Sequence, residues 1–144
     1  MAAALTMVAD KRMAVVSLHG PIIGGRVFPY LSEMFDEVER LVRNMSFIVG
    51  GDLNSARLAE KVWPGHGHGP FFEWLAGSVF FDCCRKFHNT EQQTYFRRNS
   101  RHLFQDDHLF VSHDLAGNVR SCDVLNNETT RSLSDHIPLV MEVG

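Results

Sequence analysis

The stretch that decides the fold runs from residue 47 to residue 54 and reads FIVGGDLN. Its first three residues are apolar, and Ile48 and Val49 are β-branched, which is typical of a short buried strand. Two glycines interrupt the apolar run, and Asp52 and Asn54 follow. The pattern predicts a strand whose end carries one carboxylate and one amide side chain.

The residues before this stretch predict a strand and then a helix. Residues 14–18, AVVSL, form an apolar run that ends before the HGP of residues 19–21. Apolar side chains then recur at three- and four-residue spacing, which predicts an amphipathic helix from Leu31 with Ser32 as its N-cap. The apolar positions are Leu31, Met34, Phe35, Val38, Leu41 and Val42. A strand, a helix and a strand in this order predict an α/β layer with parallel pairing.

The second half of the sequence predicts more strands and one short helix. The helix is expected over residues 71–76, and the strands are expected over residues 79–81, 94–96, 107–111, 119–124 and 137–143. Their order in the sheet is left open. Because the chain has no repeat and no linker-like segment, it is expected to fold as one unit.

Composition describes an ordinary globular chain and excludes few functions. The 144 residues are 44% hydrophobic and 22% charged, and the net charge of -3 gives no global basic field for nucleic acid. No apolar stretch approaches the roughly 18 residues that a membrane span needs. Residues 1–10 lack the basic start of a secretory signal, so a cytoplasmic location is expected.

The cysteines do not predict a disulfide framework or a zinc site. The chain has three, Cys83, Cys84 and Cys122, which is an odd number with two adjacent residues. They are expected to be reduced core residues, with the adjacent pair at a buried strand end.

Three short polar groups lie at strand boundaries and carry the chemistry. Asp52 and Asn54 are two residues apart, so on extended backbone they share a face and suit a hard cation and a phosphate oxygen. A turn with local side-chain hydrogen bonds is the structural alternative. Asp107 precedes one apolar run, and Asp135 and His136 precede another. A carboxylate next to an imidazole orients it and keeps it protonated, whereas a loop cap and a surface histidine are the alternative.

In this order the motifs resemble those of the endonuclease/exonuclease/phosphatase superfamily, which includes exonuclease III-like and DNase I-like enzymes. GDLN at 51–54 looks like the G-D-x-N motif, DHLFVS at 107–112 like D-x-x-x-x-S, and SDH at 134–136 like the closing S-D-H. SLH at 17–19 is similar to a T-x-H strand end, and Thr94 with Tyr95 resembles an aromatic-bearing strand before the third motif. The resemblance runs over residues 14–144, and residues 1–13 are predicted to be an N-terminal segment.

The resemblance implies a role for each matching residue. Asp52 would activate or position the attacking water, and Asn54 would orient that water or the phosphate. His136, paired with an acid, would stabilise the pentacoordinate phosphate. Asp107 would position a catalytic histidine or assist the leaving group, and Asp135 would orient His136 or bind the metal.

Further residues are expected to contact the substrate or the reacting phosphate. His19, at the end of its strand, is placed with the catalytic residues by the resemblance. Tyr95, Arg97 and Arg98 are predicted to bind substrate together with Asn54. Arg97 and Arg98 belong with Arg101 and His102 to a basic cluster with aromatic neighbours, which suits a phosphate backbone, and a solvated hairpin tip is the alternative.

The resemblance also implies a fold, a cofactor and a reaction. The chain would be the later portion of a four-layer α/β sandwich, with two packed β-sheets flanked by helices and the front part missing. That front part normally carries a principal Mg²⁺ ligand, a glutamate, so whether this chain is an enzyme is left open. Mg²⁺, with Mn²⁺ as an alternative, would serve a phosphodiesterase or nuclease-like phosphoester hydrolase.

Two alternatives accompany this interpretation. The chain could be a non-catalytic truncated domain that binds phosphate-containing ligands or a partner chain. An inner sheet face left exposed by the missing front part could instead be covered in a homodimer or by a complementing chain. The substrate class is left open among nucleic acid, phospholipid and sugar phosphate.

Overall fold

The computed structural model describes residues 2–8, 11–22, 24–96 and 102–144. The strands are β1 (Ala2–Val8), β2 (Lys11–His19), β3 (Ser46–Asp52), β4 (Phe80–Asp82), β5 (Asp107–Ser112), β6 (Val119–Val124) and β7 (Leu139–Val143). The helices are α1 (Phe28–Leu41), α2 (Ala59–Val62), α3 (His68–Ala76), α4 (Cys83–Phe87), α5 (His113–Ala116) and α6 (Glu128–Leu133).

The strands form a five-stranded sheet in the order β1-β2-β3-β5-β4 and a separate hairpin of β6 and β7. β2 and β3 are parallel, which confirms the pairing predicted for the strand-helix-strand unit. Parallel neighbours need a crossover, and the 14-residue helix α1 provides it. The other pairs in the large sheet are antiparallel.

The main core lies between one face of the large sheet and helices α1 and α3. Every second residue of β2 points into it, namely Ala14, Val16 and Leu18, as the alternation of a strand requires. At its centre the fully buried ring of Phe35 makes edge contacts with three other phenylalanine rings. These are Phe71, Phe80 and Phe110.

The opposite face of the large sheet is covered in part by the β6–β7 hairpin. A second core lies between them, with Val111 from β5, Val119 and Cys122 from β6, and Cys84 from α4. The described residues therefore form three layers: helices, a five-stranded sheet and a two-stranded sheet. The hairpin leaves the outer end of the face open, where the Val15 side chain of β2 is 38% exposed.

Three local predictions differ from the structure. Helix α1 begins at Phe28 and has no side-chain cap, because a proline in its first turn allows an earlier start and Ser32 instead bonds a carbonyl within the helix. Residues 94–96 make a single bridge, from Tyr95 to His136, rather than a strand. Cys83 begins helix α4 after β4, because the Asp82 side chain caps that helix.

The residues before position 14 include β1, which pairs with β2 over its whole length. The boundary between an N-terminal segment and the domain stays a prediction. No helix in the described ranges is long and apolar enough to cross a membrane. The cytoplasmic location stays a prediction.

Two glycines let the chain approach itself closely where β2 and β3 end. Gly51 has a φ of +144°, and a Cβ there would overlap the carbonyl oxygen of Leu18. A Cβ on Gly20 would overlap the carbonyl oxygen of Leu53 in the same way. Neither obstacle is a flexible side chain, so neither can move aside cheaply. Glycine is therefore required at both positions.

We predict that Gly51→Ala destabilises the fold, whereas Gly24→Ala does not. The first substitution adds a Cβ in steric overlap at a strained φ, which costs roughly 2 kcal/mol or more. A Cβ added to Gly24 would meet no atom within 4 Å, so this position serves as the matched control. Urea unfolding followed by circular dichroism measures both. Equal midpoints for the two variants would contradict the close approach at Gly51.

Candidate active site

Three predicted site residues stand side by side across the large sheet. In the strand register His19 of β2 pairs with Asp52 of β3, and Asp52 pairs with Asp107 of β5. Side chains alternate along each strand, so the three project from the face opposite helices α1 and α3. The site lies where β2 and β3 end and β5 begins, an edge at which α/β sheets commonly bind ligands.

His136 joins this row from the segment that leads into β7. Its Nδ1 lies 2.8 Å from Asp107 Oδ2, and its Nε2 lies 3.9 Å from Asp52 Oδ2. Its backbone is held by the bridge to Tyr95, whose ring centroid is 4.9 Å from the imidazole centroid. The imidazole therefore has one nitrogen committed to Asp107 and the other directed toward Asp52.

Asp52 divides its two carboxylate oxygens between a local turn and the two histidines. Oδ1 accepts a hydrogen bond from the backbone N–H of Asn54 at 2.8 Å. Oδ2 lies 3.7 Å from His19 Nε2 and 3.9 Å from His136 Nε2. The turn that was the structural alternative for this motif is thus present, and it also fixes the direction of the oxygen that faces the imidazoles.

Asn54 ties the two strand ends together. Its side-chain amide donates to the carbonyl oxygen of Gly20 at 2.9 Å, and its backbone has a φ of +48°. Asparagine tolerates this left-handed conformation better than most residues. The residue therefore has a structural role at the site, next to the catalytic role that the family motif implies.

The site concentrates negative charge. Burial, together with the charges of Asp52 and Asp107, raises the pKa of Asp106 to about 6. For His136, burial lowers the pKa, but the hydrogen bond and charge of Asp107, with the charge of Asp52, outweigh it and the net pKa is raised. A positive charge next to these carboxylates, such as the protonated His136, is therefore favourable.

Asp52, Asp107 and His136 form a group that could hold a metal ion. One ligand atom from each residue lies within 4.8 Å of the other two. Two carboxylates and an imidazole are ordinary ligands of divalent cations, and the carboxylates suit Mg²⁺ or Mn²⁺. Among the described residues the group does not include Asp135, whose side chain is exposed.

Thr94 supports the site but carries no sequence signal as a site residue. It is fully buried, and its hydroxyl oxygen accepts hydrogen bonds from the backbone N–H groups of Asp106 and Asp107 at 3.0 Å each. Its carbonyl oxygen accepts from the N–H of Ile137 at 2.7 Å. Thr94 therefore connects the strand that carries Asp107 with the segment that carries His136. Only the fold brings these segments together, so spacing in the sequence cannot reveal them.

The predicted substrate-binding residues are only partly described. Tyr95 is half-buried against His136, whereas Arg97 and Arg98 lie outside the described residues. Another arginine is found near the closing motif in the sequence: Arg131 lies over the Phe96 ring, 5.1 Å from its centroid, in a cleft of about 430 Å³ that also reaches Asp135. Sequence patterns gave no reason to select Arg131.

Comparison with solved structures gives clear similarity in three dimensions. The 3′-5′ exonuclease from Neisseria meningitidis superposes with a TM-score of 0.68 and 21% identity over 96% of this chain and 63% of that one. An AP endonuclease from Archaeoglobus fulgidus gives 0.65 and 18% identity, over 96% of this chain and 63% of that one. A mannosyl-6-phosphatase from Bacteroides thetaiotaomicron gives 0.62 and 20% identity, over 94% of this chain and 52% of that one.

The chain has the endonuclease/exonuclease/phosphatase fold. It spans less than two thirds of the length of the proteins just named. No family model matches the sequence, and no curated protein matches it. The similarity confirms the fold class expected from the motifs, with this chain corresponding to part of that fold.

We predict that Asp107→Asn lowers the pKa of His136. The amide keeps a hydrogen-bond acceptor near the imidazole but removes the negative charge that favours its protonated form. The His136 ring signal, assigned with a His136→Gln variant, is titrated by NMR in both proteins. Asp123→Asn, at the exposed pair with His88, is the matched control and should leave the His136 pKa unchanged. An unchanged pKa in Asp107→Asn would contradict the pairing.

Proposed function

We propose that the chain is a metal-dependent phosphoester hydrolase domain. The observation that carries the proposal is the arrangement of Asp52, His136 and Asp107, with one imidazole nitrogen bonded to Asp107 and the other facing Asp52 across 3.9 Å. That gap is longer than a direct hydrogen bond, and a water molecule can bridge it by donating to Asp52 and accepting from His136. Hydrolysis of a phosphoester needs such a water molecule held beside the phosphate.

Asp52 is the group that prepares the attacking water. Its Oδ2 is held in place because Oδ1 is engaged by the backbone of Asn54. A fixed carboxylate oxygen accepts a proton from water and aligns the water lone pair with the phosphorus. The Asn54 amide bonds the Gly20 carbonyl, so it keeps the turn in place while Asp52 acts.

His136 stabilises the negative charge that grows on the phosphoryl oxygens. Asp107 holds its Nδ1 and favours the imidazolium form, so Nε2 donates a charge-assisted hydrogen bond. His19, whose side chain is 72% exposed, supplies a second imidazole on the solvent side of Asp52. The Nε2 atoms of His19 and His136 lie 3.7 Å and 3.9 Å from Asp52 Oδ2, so both can reach a phosphate bound there.

The donor set fits a divalent cation. Two carboxylates lie at the site, and burial, together with their charges, raises the pKa of Asp106 beside them to about 6. A bound Mg²⁺ or Mn²⁺ would neutralise phosphate charge as the bond to the leaving group breaks. We propose Asp52 and Asp107 as ligands, and Asp135, on the same loop as His136, as a residue that supports the site through its charge.

The substrate we propose is a phosphate ester of nucleic acid. The Neisseria protein, called a 3′-5′ exonuclease in one structure and a 3′ phosphatase in another, is bound in the second to a product DNA hairpin, and a further similar structure is an AP endonuclease. Tyr95 packs against His136 with an aromatic ring that suits a base, and Arg131 lies over Phe96 in the cleft that reaches Asp135. Arg97 and Arg98 are proposed as further phosphate contacts. A sugar phosphate is the competing substrate, because a mannosyl-6-phosphatase shares the fold.

We predict that His136→Ala and Asp52→Asn each lower kcat/KM for phosphoester hydrolysis by roughly 10²- to 10⁴-fold. The assay supplies Mg²⁺ and compares bis-p-nitrophenyl phosphate, p-nitrophenyl phosphate and a DNA hairpin with a 3′-phosphate. Preference among these separates diester from monoester cleavage.

The matched control for this assay is His113→Ala. His113 is exposed and follows the end of β5 opposite to Asp107, so its loss should leave turnover unchanged. Turnover that survives in both His136→Ala and Asp52→Asn would refute the site. A folded wild-type chain with no turnover on any substrate would favour the non-catalytic alternative.

We predict that the purified chain binds Mg²⁺ in the millimolar range or tighter and that Asp52→Asn with Asp107→Asn abolishes this binding. Calorimetry measures the affinity, and sedimentation on the same sample gives the mass in solution. Glu37→Gln, in an exposed ion pair on α1, is the control for a general charge effect. Binding that persists in the double variant would place the cation elsewhere. A dimeric mass would favour completion of the site across an interface.

A further inference from the structure

Two cysteine side chains meet in the core between the two sheets. Cys84 lies in the first turn of α4, and Cys122 lies in β6, 38 residues later. Their sulfur atoms are 2.8 Å apart, and at most 2% of either residue is exposed. This separation is shorter than ordinary non-bonded contact between two sulfur atoms, so little movement separates the two thiols from a covalent bond.

Contacts that do not involve sulfur hold α4 against β6. Lys86 Nζ donates to the carbonyl oxygens of Ala116 at 2.8 Å and Val119 at 2.7 Å. The imidazole Nε2 of His88 donates to the carbonyl oxygen of Cys122 at 3.0 Å. The backbone on both sides of the sulfur pair is thus positioned by polar contacts as well as by apolar packing. The closeness of the thiols is a consequence of this arrangement.

We propose that Cys84 and Cys122 are a disulfide modification site, oxidised by a low-molecular-weight disulfide such as oxidised glutathione. One cysteine thiolate attacks the glutathione disulfide, forms a mixed disulfide and releases one glutathione thiolate. The second cysteine then attacks the protein sulfur of the mixed disulfide and releases the second glutathione. The protein loses two thiol protons and two electrons, and the glutathione disulfide is reduced to two thiols.

The reaction requires opening of the α4–β6 contact. The hydrogen bond to Cys122, and then burial, raise the pKa of the Cys84 thiol, and burial raises that of Cys83 to about 12. The thiolate is the reactive form, so a closed chain exchanges slowly. Oxidation therefore takes place while the chain folds or when α4 separates from β6, and closure then protects the bond.

The bond would attach the hairpin to the large sheet by a covalent link. Cys84 follows β4 at the edge of the large sheet, and β6 pairs with β7, which His136 precedes. Near the site, the segment before β7 is attached by the contact of His136 with Asp107 and by backbone bonds to residues 94–96. A cross-link would therefore limit separation of the two layers that together form the candidate site. This inference does not depend on the catalytic proposal.

The test is refolding of the reduced chain from urea in a mixture of reduced and oxidised glutathione, followed by acid quenching. We expect reactive thiols, counted in denaturant, to fall from the three in the sequence to one, because two of the three enter the bond. Mass should fall by about 2 Da, and the melting temperature should rise by something on the order of 10 °C relative to the reduced protein. Retention of all three thiols, or a stable glutathione adduct, would overturn the proposal.

Single variants identify the partners. Cys83→Ala retains Cys84 and Cys122 and should lose both thiols on oxidation, from two to none. Cys84→Ala retains Cys83 and Cys122 and should keep both, because the Cys83 sulfur is directed toward the carbonyl oxygen of Phe81. Cross-linking in Cys84→Ala equal to that in Cys83→Ala would overturn the assignment. The Cys83→Ala result stands on its own if Cys84→Ala does not fold.

Discussion

The candidate site depends on how three strand ends are aligned in the large sheet, namely the ends of β2 and β3 and the beginning of β5. The N–H of Gly20 donates to the carbonyl of Asp52 at 2.7 Å, and the N–H of Leu53 donates to the carbonyl of Asp106 at 2.8 Å. These bonds continue the sheet one step beyond its regular ladder, and Gly20 and Gly51 allow the close approach of the chain between β2 and β3 at this edge. A shift of one residue in either pairing would turn a site side chain to the other face. Backbone contact at this edge thus determines where the side-chain chemistry lies.

The same alignment brings carboxylates closer than their charges favour. A folded state that raises the pKa of Asp106 from 3.8 to about 6 loses stability as pH rises through that interval, because the unfolded chain ionises the group more easily. The raised pKa of His136 acts in the same direction: its stabilising effect is fully present below 6.5 and is lost as pH rises through the folded pKa. A cation would offset both effects. The clustered negative charge destabilises the fold in the absence of a cation, but it favours the binding of a cation at the site.

Residue types next to apolar runs predicted much of this site. The distances between its residues depend on tertiary contacts. Asp52, Asp107 and His136 could be found because each lies beside an apolar run, and such runs end where strands end. Their mutual distances could not be found, since they depend on how β5 enters between β3 and β4. The sequence indicates Thr94 only as part of an aromatic-bearing strand, and its supporting role could not be found, because its bonds to Asp106, Asp107 and Ile137 depend on the fold.

Helices α1 and α4 show the same difference between what the sequence predicts and what tertiary contacts determine. The spacing of apolar residues predicted most of the buried face of α1, although Leu41, at the end of the helix, is 47% exposed. It did not predict the first residue, because the start depends on Pro29 and on packing rather than on a side-chain cap at Ser32. Cys83 and Cys84 are buried as predicted, yet they lie in a helix, since the Asp82 cap ends the strand after three residues. Local sequence determined burial in both cases. The point at which an element begins was determined by its neighbours.

The contacts among the candidate site residues do not depend on the part of the fold that this chain lacks. The contacts among His19, Asp52, Asp107 and His136 involve only β2, β3, β5 and the segment before β7. The exposed end of the inner face lies around Val15, in the middle of β2, whereas His19 is the last residue of that strand. Covering that face would therefore stabilise the sheet without being needed to assemble these four side chains. The acid and histidine chemistry can be assessed in this chain by itself.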